Sequence, residues 1–210
     1  MNFITNPQVI EAESMRLIRA QLRQQWPVEQ LPLVERLIHT SGDLSLESSI
    51  AIHPGAVAAG MEALERGANV ITDVEMVRAG ISKQNLRRLG GEALCFLDDP
   101  QVLEKAREWS LTRTMTAFRL HARELAGAIV AIGNAPTALA EVLGLADDPQ
   151  SRPALIIGIP VGFVGAAESK EFLWAQQNLP SITVRGTRGG SPLAAASVNA
   201  LIYAYLNSST

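Results

Sequence analysis

The sequence predicts an α/β fold, a single domain over residues 1–210 with three layers, αβα, around a mainly parallel central sheet. Two observations carry that expectation. An apolar stretch followed by a glycine-containing loop and then a helical pattern occurs at residues 127–143, again at 154–174 and again at 181–205. Each such unit returns the chain to the same edge of a sheet, so neighbouring strands run parallel. Composition agrees: 47% of residues are hydrophobic but only 5% are aromatic, so the core must be built from Ala, Val, Ile and Leu. Strands buried on both faces by helices have that character. With 210 residues the chain can bury a sizeable core without staples, and no linker, repeat or low-complexity tract divides it.

In chain order, Asn6 and Pro7 start a helix whose apolar positions Ile10, Leu17, Ile18 and Leu22 recur at helical spacing. Ser14 lies on that same stripe, where its hydroxyl either bonds back to a carbonyl or faces a ligand. Two prolines between residues 26 and 33 reset the chain before a second helix that ends near His39. Residues 49–55 read as a short strand running into a His53-Pro54-Gly55 turn, and a helix from Ala56 stops at Gly67. His53 is read as marking that turn. A strand over residues 69–72 leads to Asp73, an expected cap of the next helix, and to Arg78, a candidate anion contact. A short helix ends near Leu89, and a strand over residues 92–97 holds Cys95, read as a small buried hydrophobe. A long helical segment, 102–125, follows, in one piece or two. Arg113, Thr114 and Thr116 either project from it into a pocket or are solvated, and His121 is structural or exposed.

Charge and cysteine usage narrow the function. The net charge of -3 and a pI near 5.7 give no basic field, which speaks against nucleic acid or an anionic membrane as partners. One cysteine permits neither an internal disulfide nor a cysteine-based zinc cluster, and fits a reducing cytoplasm. No basic and apolar leader opens the chain, and its apolar runs are too short to span a bilayer. The glycines at 158, 162 and 165, and at 186, 189 and 190, match neither G-x-G-x-x-G nor G-x-x-x-x-G-K-[ST], so a nucleotide-dependent enzyme is disfavoured. Those loops do offer backbone amides at helix starts, flanked by Arg185 and Arg188, as a place for carboxylates or phosphates, or else a turn carrying surface charges. Glu168 and Lys170 read as a solvated helix face.

The chemistry centres on residues 36–43, Arg-Leu-Ile-His-Thr-Ser-Gly-Asp, where His39 is mounted at a helix end beside turn-forming, hydrogen-bonding residues. An imidazole so placed is either a general acid or base, or a structural hydrogen-bonding group. There is no carboxylate pair of glycosidase type and no G-x-S-x-G elbow, and the three histidines are too dispersed for a metal site.

Several blocks in order, Glu11-Ala-Glu-Ser14, Arg36-Leu-Ile-His39, His53-Pro-Gly55, the run from Thr72 through Gly80, Gly133-Asn-Ala-Pro-Thr137, the run from Ile159 to Lys170 and Arg185-Gly-Thr-Arg-Gly-Gly-Ser-Pro192, give the chain its resemblance to the precorrin-8X (cobalt-precorrin-8) methylmutase family. That resemblance spans the chain. It implies an isomerase of corrin-ring biosynthesis that moves a methyl group from C-11 to C-12 of precorrin-8X or cobalt-precorrin-8, giving hydrogenobyrinate or cobyrinate. It further implies a cytoplasmic homodimer with a tetrapyrrole substrate, no cofactor and no bound metal. His39 matches the family's catalytic histidine. Ser14, Thr72, Arg113, Arg185 and Arg188 are the expected substrate-binding residues, the arginines facing acetate and propionate arms. A non-catalytic corrinoid carrier is the alternative, and turnover separates the two.

Overall fold

The computed structural model describes residues 3–208. A six-stranded sheet forms its centre, in the order β1-β6-β5-β4-β2-β3. The strands are β1 (Ile50–Ile52), β2 (Val70–Thr72), β3 (Ala93–Cys95), β4 (Ile129–Ile132), β5 (Leu155–Gly158) and β6 (Ser181–Val184). All neighbours pair in parallel except β1 and β6, whose register sets Ile50 against Val184 and Ile52 against Ile182 in antiparallel fashion. The expectation of a mainly parallel three-layer sheet holds. The first strand departs from the pattern because the short segment joining α2 (Leu31–Ser41) to β1, a 3-10 helix Leu44–Ser49, delivers the chain to the sheet edge from the opposite end.

Residues along β4 alternate between two cores, as the pleat requires. Ile129 and Ala131 face α2, α3 (Ala56–Glu65), α4 (Glu75–Gly80) and α10 (Ser191–Ser208), with Leu33, Leu64, Val77 and Leu201 among their companions. Val130 and Ile132 face α7 (Arg113–Leu120), α8 (Pro136–Leu145) and α9 (Ala166–Ala175) through Phe118, Leu139 and Leu173. The expected long helix over 102–125 is two helices, α6 (Pro100–Trp109) and α7, broken at Ser110 in the left-handed region (φ 55). The remaining helix of the β2–β3 crossover is α5 (Lys83–Arg88).

The N-terminal helix, α1 (Pro7–Arg19), forms for local reasons. Pro7 presets its first turn, and the Asn6 side chain accepts hydrogen bonds from the Gln8 and Val9 amides at 3.0 and 3.2 Å. No residue of α1 is buried, and Val9, Ile10 and Leu17 remain exposed. Ion pairs with α2, Glu11–Arg36 and Arg19–Glu35, fix it in place.

The sheet changes direction of growth between β2 and β4: from β2 the chain moves outward to β3, then crosses to β4 and continues through β5 to β6. In open α/β sheets that switch point leaves a crevice at the carboxyl ends of the strands, where ligands bind. Here Asp73 closes it. Its carboxylate, 1% exposed, accepts from the amides of Gly133, Asn134 and Ala135 at 3.0, 2.8 and 2.8 Å. It therefore does not cap the helix that follows; Val74 holds that position and gives no side-chain bond. Burial pushes the Asp73 carboxyl up, and the amide bonds pull against it.

Candidate functional site

His39 lies in the last turn of α2 with its side chain exposed. A single-residue left-handed turn at Gly42 (φ 65) ends the helix, its amide bonding to the Ile38 carbonyl at 2.9 Å. Beside His39 opens a cleft of about 660 Å³, walled by Pro7, Ile10 and Glu11 of α1, Arg36 of α2, and Tyr203 and Asn207 of α10. That is within the roughly 300–1,000 Å³ usual for small-molecule sites. Arg36 ion-pairs with Glu11, and its guanidinium sits 5.5 Å from the centre of the Tyr203 ring. The floor is thus a neutral ion pair backed by an aromatic face, with the His39 imidazole beside it. Such a cleft can seat a flat, partly apolar ligand edge and exchange a proton or hydrogen bond with it.

The structure disperses the other expected site residues. Ser14 sits on α1 with its hydroxyl bonded back to the Ile10 carbonyl at 2.7 Å. Thr72 is 2% exposed and donates to the Leu94 carbonyl at 3.0 Å, so its hydroxyl serves the sheet. Arg113 is exposed at the start of α7 and, among the described residues, bonds the Leu97 carbonyl at 2.9 Å and faces no carboxylate. Because α2 and α7 cover opposite faces of the sheet, His39 and Arg113 belong to different layers. Around Arg113, the Thr112 hydroxyl caps α7 through the Met115 amide at 3.2 Å and reaches the hydroxyls of Thr114 and Thr137 at 3.2 and 3.3 Å. Thr116 is fully buried, bonded to the Thr112 carbonyl.

Both arginines of the third loop are already engaged. Arg185 makes a two-pronged ion pair with Glu171 at 2.8 and 2.7 Å, and Glu171 is held below the usual carboxylate range by it. Arg188 reaches Asp43 Oδ2 at 2.5 Å, the Ser45 hydroxyl at 3.1 Å and the Ser45 carbonyl at 3.0 Å. Arg78, a candidate anion contact, pairs instead with Glu75 at 2.9 Å. The amides of residues 133–135 are taken by Asp73.

Lys170 overturns the reading of a solvated face. Its side chain is fully buried and donates to the Arg188 carbonyl at 2.7 Å; desolvation brings its pKa down to about 8. Cys95 is half-buried rather than fully buried, its thiol pushed up by desolvation. The other histidines are structural. His53 accepts from the Gly55 amide at 3.1 Å and meets the Gln177 carbonyl at 3.1 Å, while His121 stacks on Phe96 at 3.9 Å and contacts Asp99 at 2.9 Å. Among the described residues no cluster of His, Cys, Asp and Glu is arranged to hold a metal, and no helix is long and apolar enough to cross a membrane. Sequence reasoning missed Glu11 and Tyr203 as walls of the cleft. A signal was present in Arg36, which precedes His39 by three residues and so shares its helix face.

The sequence profile of the precorrin-8X methylmutase family matches residues 9–204. A cobalt-precorrin-8 methylmutase of Priestia megaterium is 43% identical over 93% of this chain and 87% of its own length. A precorrin-8X methylmutase of Pseudomonas aeruginosa is 41% identical, covering 96% of this chain and 97% of that protein. Among solved structures, precorrin-8x methyl mutase from Thermus thermophilus superposes with a TM-score of 0.85 at 32% identity, over 96% of this chain and all of the other. With sequence and overall fold agreeing along its length, this chain belongs to the precorrin-8X methylmutase family.

Proposed function

We propose that the chain is an isomerase of corrin-ring biosynthesis that moves the C-11 methyl group of precorrin-8X or cobalt-precorrin-8 to C-12. The observation that carries this reading is the family match over residues 9–204, supported by the histidine-bearing cleft between α1, α2 and α10. His39 is the proton or hydrogen-bond donor. The methyl group migrates within one molecule, so bonds form and break on the same ring and no nucleophile or external methyl donor is needed. The protein's task is to orient the ring and to bias its tautomers. Cobalt, where present, arrives as part of the substrate.

Arg113, against which no acidic side chain stands among the described residues, lies on the opposite face of the sheet from His39, so in this reading it meets a carboxylate arm across the homodimer. Ser14 and Thr72 have their hydroxyls committed to the backbone and do not line the cleft. The protein acts in the cytoplasm as a homodimer, a reading supported by the apolar side chains that α1 leaves uncovered.

Incubating the purified protein with precorrin-8X should shift the visible spectrum as conjugation changes, and His39→Ala should bind the pigment with wild-type affinity while losing turnover. A wild-type protein that binds the pigment without rearranging it would make the chain a carrier. Near-normal turnover by His39→Ala would remove the imidazole from the chemistry.

A further inference from the structure

We infer that Arg188 is a positioning residue, which fixes the end of α2 and thereby the place of His39, and is not a ligand for the substrate's carboxylates. The inference rests on the proposed role of His39. The His39 ring makes no hydrogen bond within the described chain, so its position is set by the helix that carries it. That helix ends at Gly42, and the next residue, Asp43, is where Arg188 attaches, 145 positions away in sequence.

Both ends of the connection are held. Asp43 takes the Ser45 amide at 2.8 Å and the Ser45 hydroxyl at 2.9 Å, which orients its carboxylate toward the guanidinium, and its amide bonds the Ser41 hydroxyl at 3.2 Å. Arg188 spans Asp43, Ser45 and Ser49, whose hydroxyl lies at 3.5 Å. Its backbone is anchored from beneath by the buried Lys170 ammonium. On either side, the Gly162 amide bonds the Thr187 carbonyl at 3.1 Å and the Gly190 amide bonds the Ile159 carbonyl at 2.9 Å. A Cβ at Gly189 would overlap the carbonyl oxygens of Ile159 and Pro160, so the loop is pressed against its neighbour. A continuous run of hydrogen bonds therefore leads from the interior of α9 through Arg188 to the turn four residues beyond His39. A guanidinium with its donors so occupied offers little to a carboxylate arm. Because the Arg188–Asp43 pair is partly exposed, its share of global stability is small.

The test compares Arg188→Ala, Arg188→Lys, Asp43→Asn and the double variant Asp43→Asn/Arg188→Ala in turnover and in pigment affinity, with thermal denaturation alongside. Each of Arg188→Ala and Asp43→Asn should lower kcat about tenfold while pigment Kd stays within about twofold, because a displaced acid fails in the chemical step. The double variant should fall no further, and Arg188→Lys, which keeps a charge opposite Asp43, should recover part of the loss. The inference is overturned if Arg188→Ala weakens pigment binding while Asp43→Asn does not, if all variants turn over normally, or if lost activity merely follows a lost melting transition. Asp43→Asn, nearly isosteric, serves where Arg188→Ala does not fold. Absence of turnover in the wild type would instead refute the isomerase reading, before any variant is compared.

Discussion

At the scale of single residues, the sequence concealed which charges are free. Glu168-Ser169-Lys170 reads as an exposed face because Lys is seldom buried, yet the Lys170 side chain is enclosed with its ammonium on a backbone carbonyl. Its pKa is about 8 in the fold against an ordinary 10.5, lowered by desolvation and opposed by the nearby Glu171 charge. Between those values the unfolded chain binds more protons than the folded one, so this residue makes stability rise with pH across that window; below about 8 the full cost of burying the charge is present. The effect amounts to about 3 kcal/mol at most. Urea titrations of the wild type and Lys170→Met from pH 7 to 10 check it: the difference between them should move in favour of the wild type as pH rises, and parallel curves would refute it. The placement of His39 at a helix end was legible from the turn residues after it. Arg185 and Arg188 were legible as cations but not as paired ones, since Glu171 and Asp43 reach them only through the tertiary fold.

Among the elements, apolar runs, prolines at helix starts and glycines after strands placed β4, β5 and β6 and the helices after them close to their observed bounds. Direction was less legible. Nothing in Ser49-Ile-Ala-Ile states that β1 will run against β6, because an apolar strand reads alike from either end. Asp73 shows the same limit. A carboxylate before a helix is an ordinary cap by sequence, but here it ties the end of β2 to the start of α8 and fills the crevice that the sheet order creates. Asp73→Ala would strand those amides and should destabilise the protein by about 3 kcal/mol in urea unfolding. A loss under about 1 kcal/mol would mean that water satisfies them.

At the scale of the whole molecule, stability should be graded. The inner strands β4 and β5 are buried along their whole length, whereas α1 has no buried residue and is held by the partly buried Ile18 against the core and by ion pairs to α2. Amide exchange should be fastest in α1 and slowest in β4 and β5, and added salt should quicken exchange in α1 selectively by screening those pairs. Equal protection of α1 and α10 would contradict this. Since α1 forms one wall of the His39 cleft, the cleft is bounded on one side by the least anchored helix and on the other by α10, much of it buried.

The reversed direction of β1 brings Ser49 to the end of β6 where Arg185 begins the glycine loop, the Arg185 amide bonding the Ser49 carbonyl at 2.7 Å. Run the other way, β1 would leave Ser49 on the order of 10 Å away, at the far end of the partner strand. This geometry imposes an order in time. The ribosome delivers His39 well before the loop that bonds the end of its helix, since Arg188 follows Asp43 by 145 positions. Until then the emerging chain carries His39 on a helix whose end has not yet met that loop.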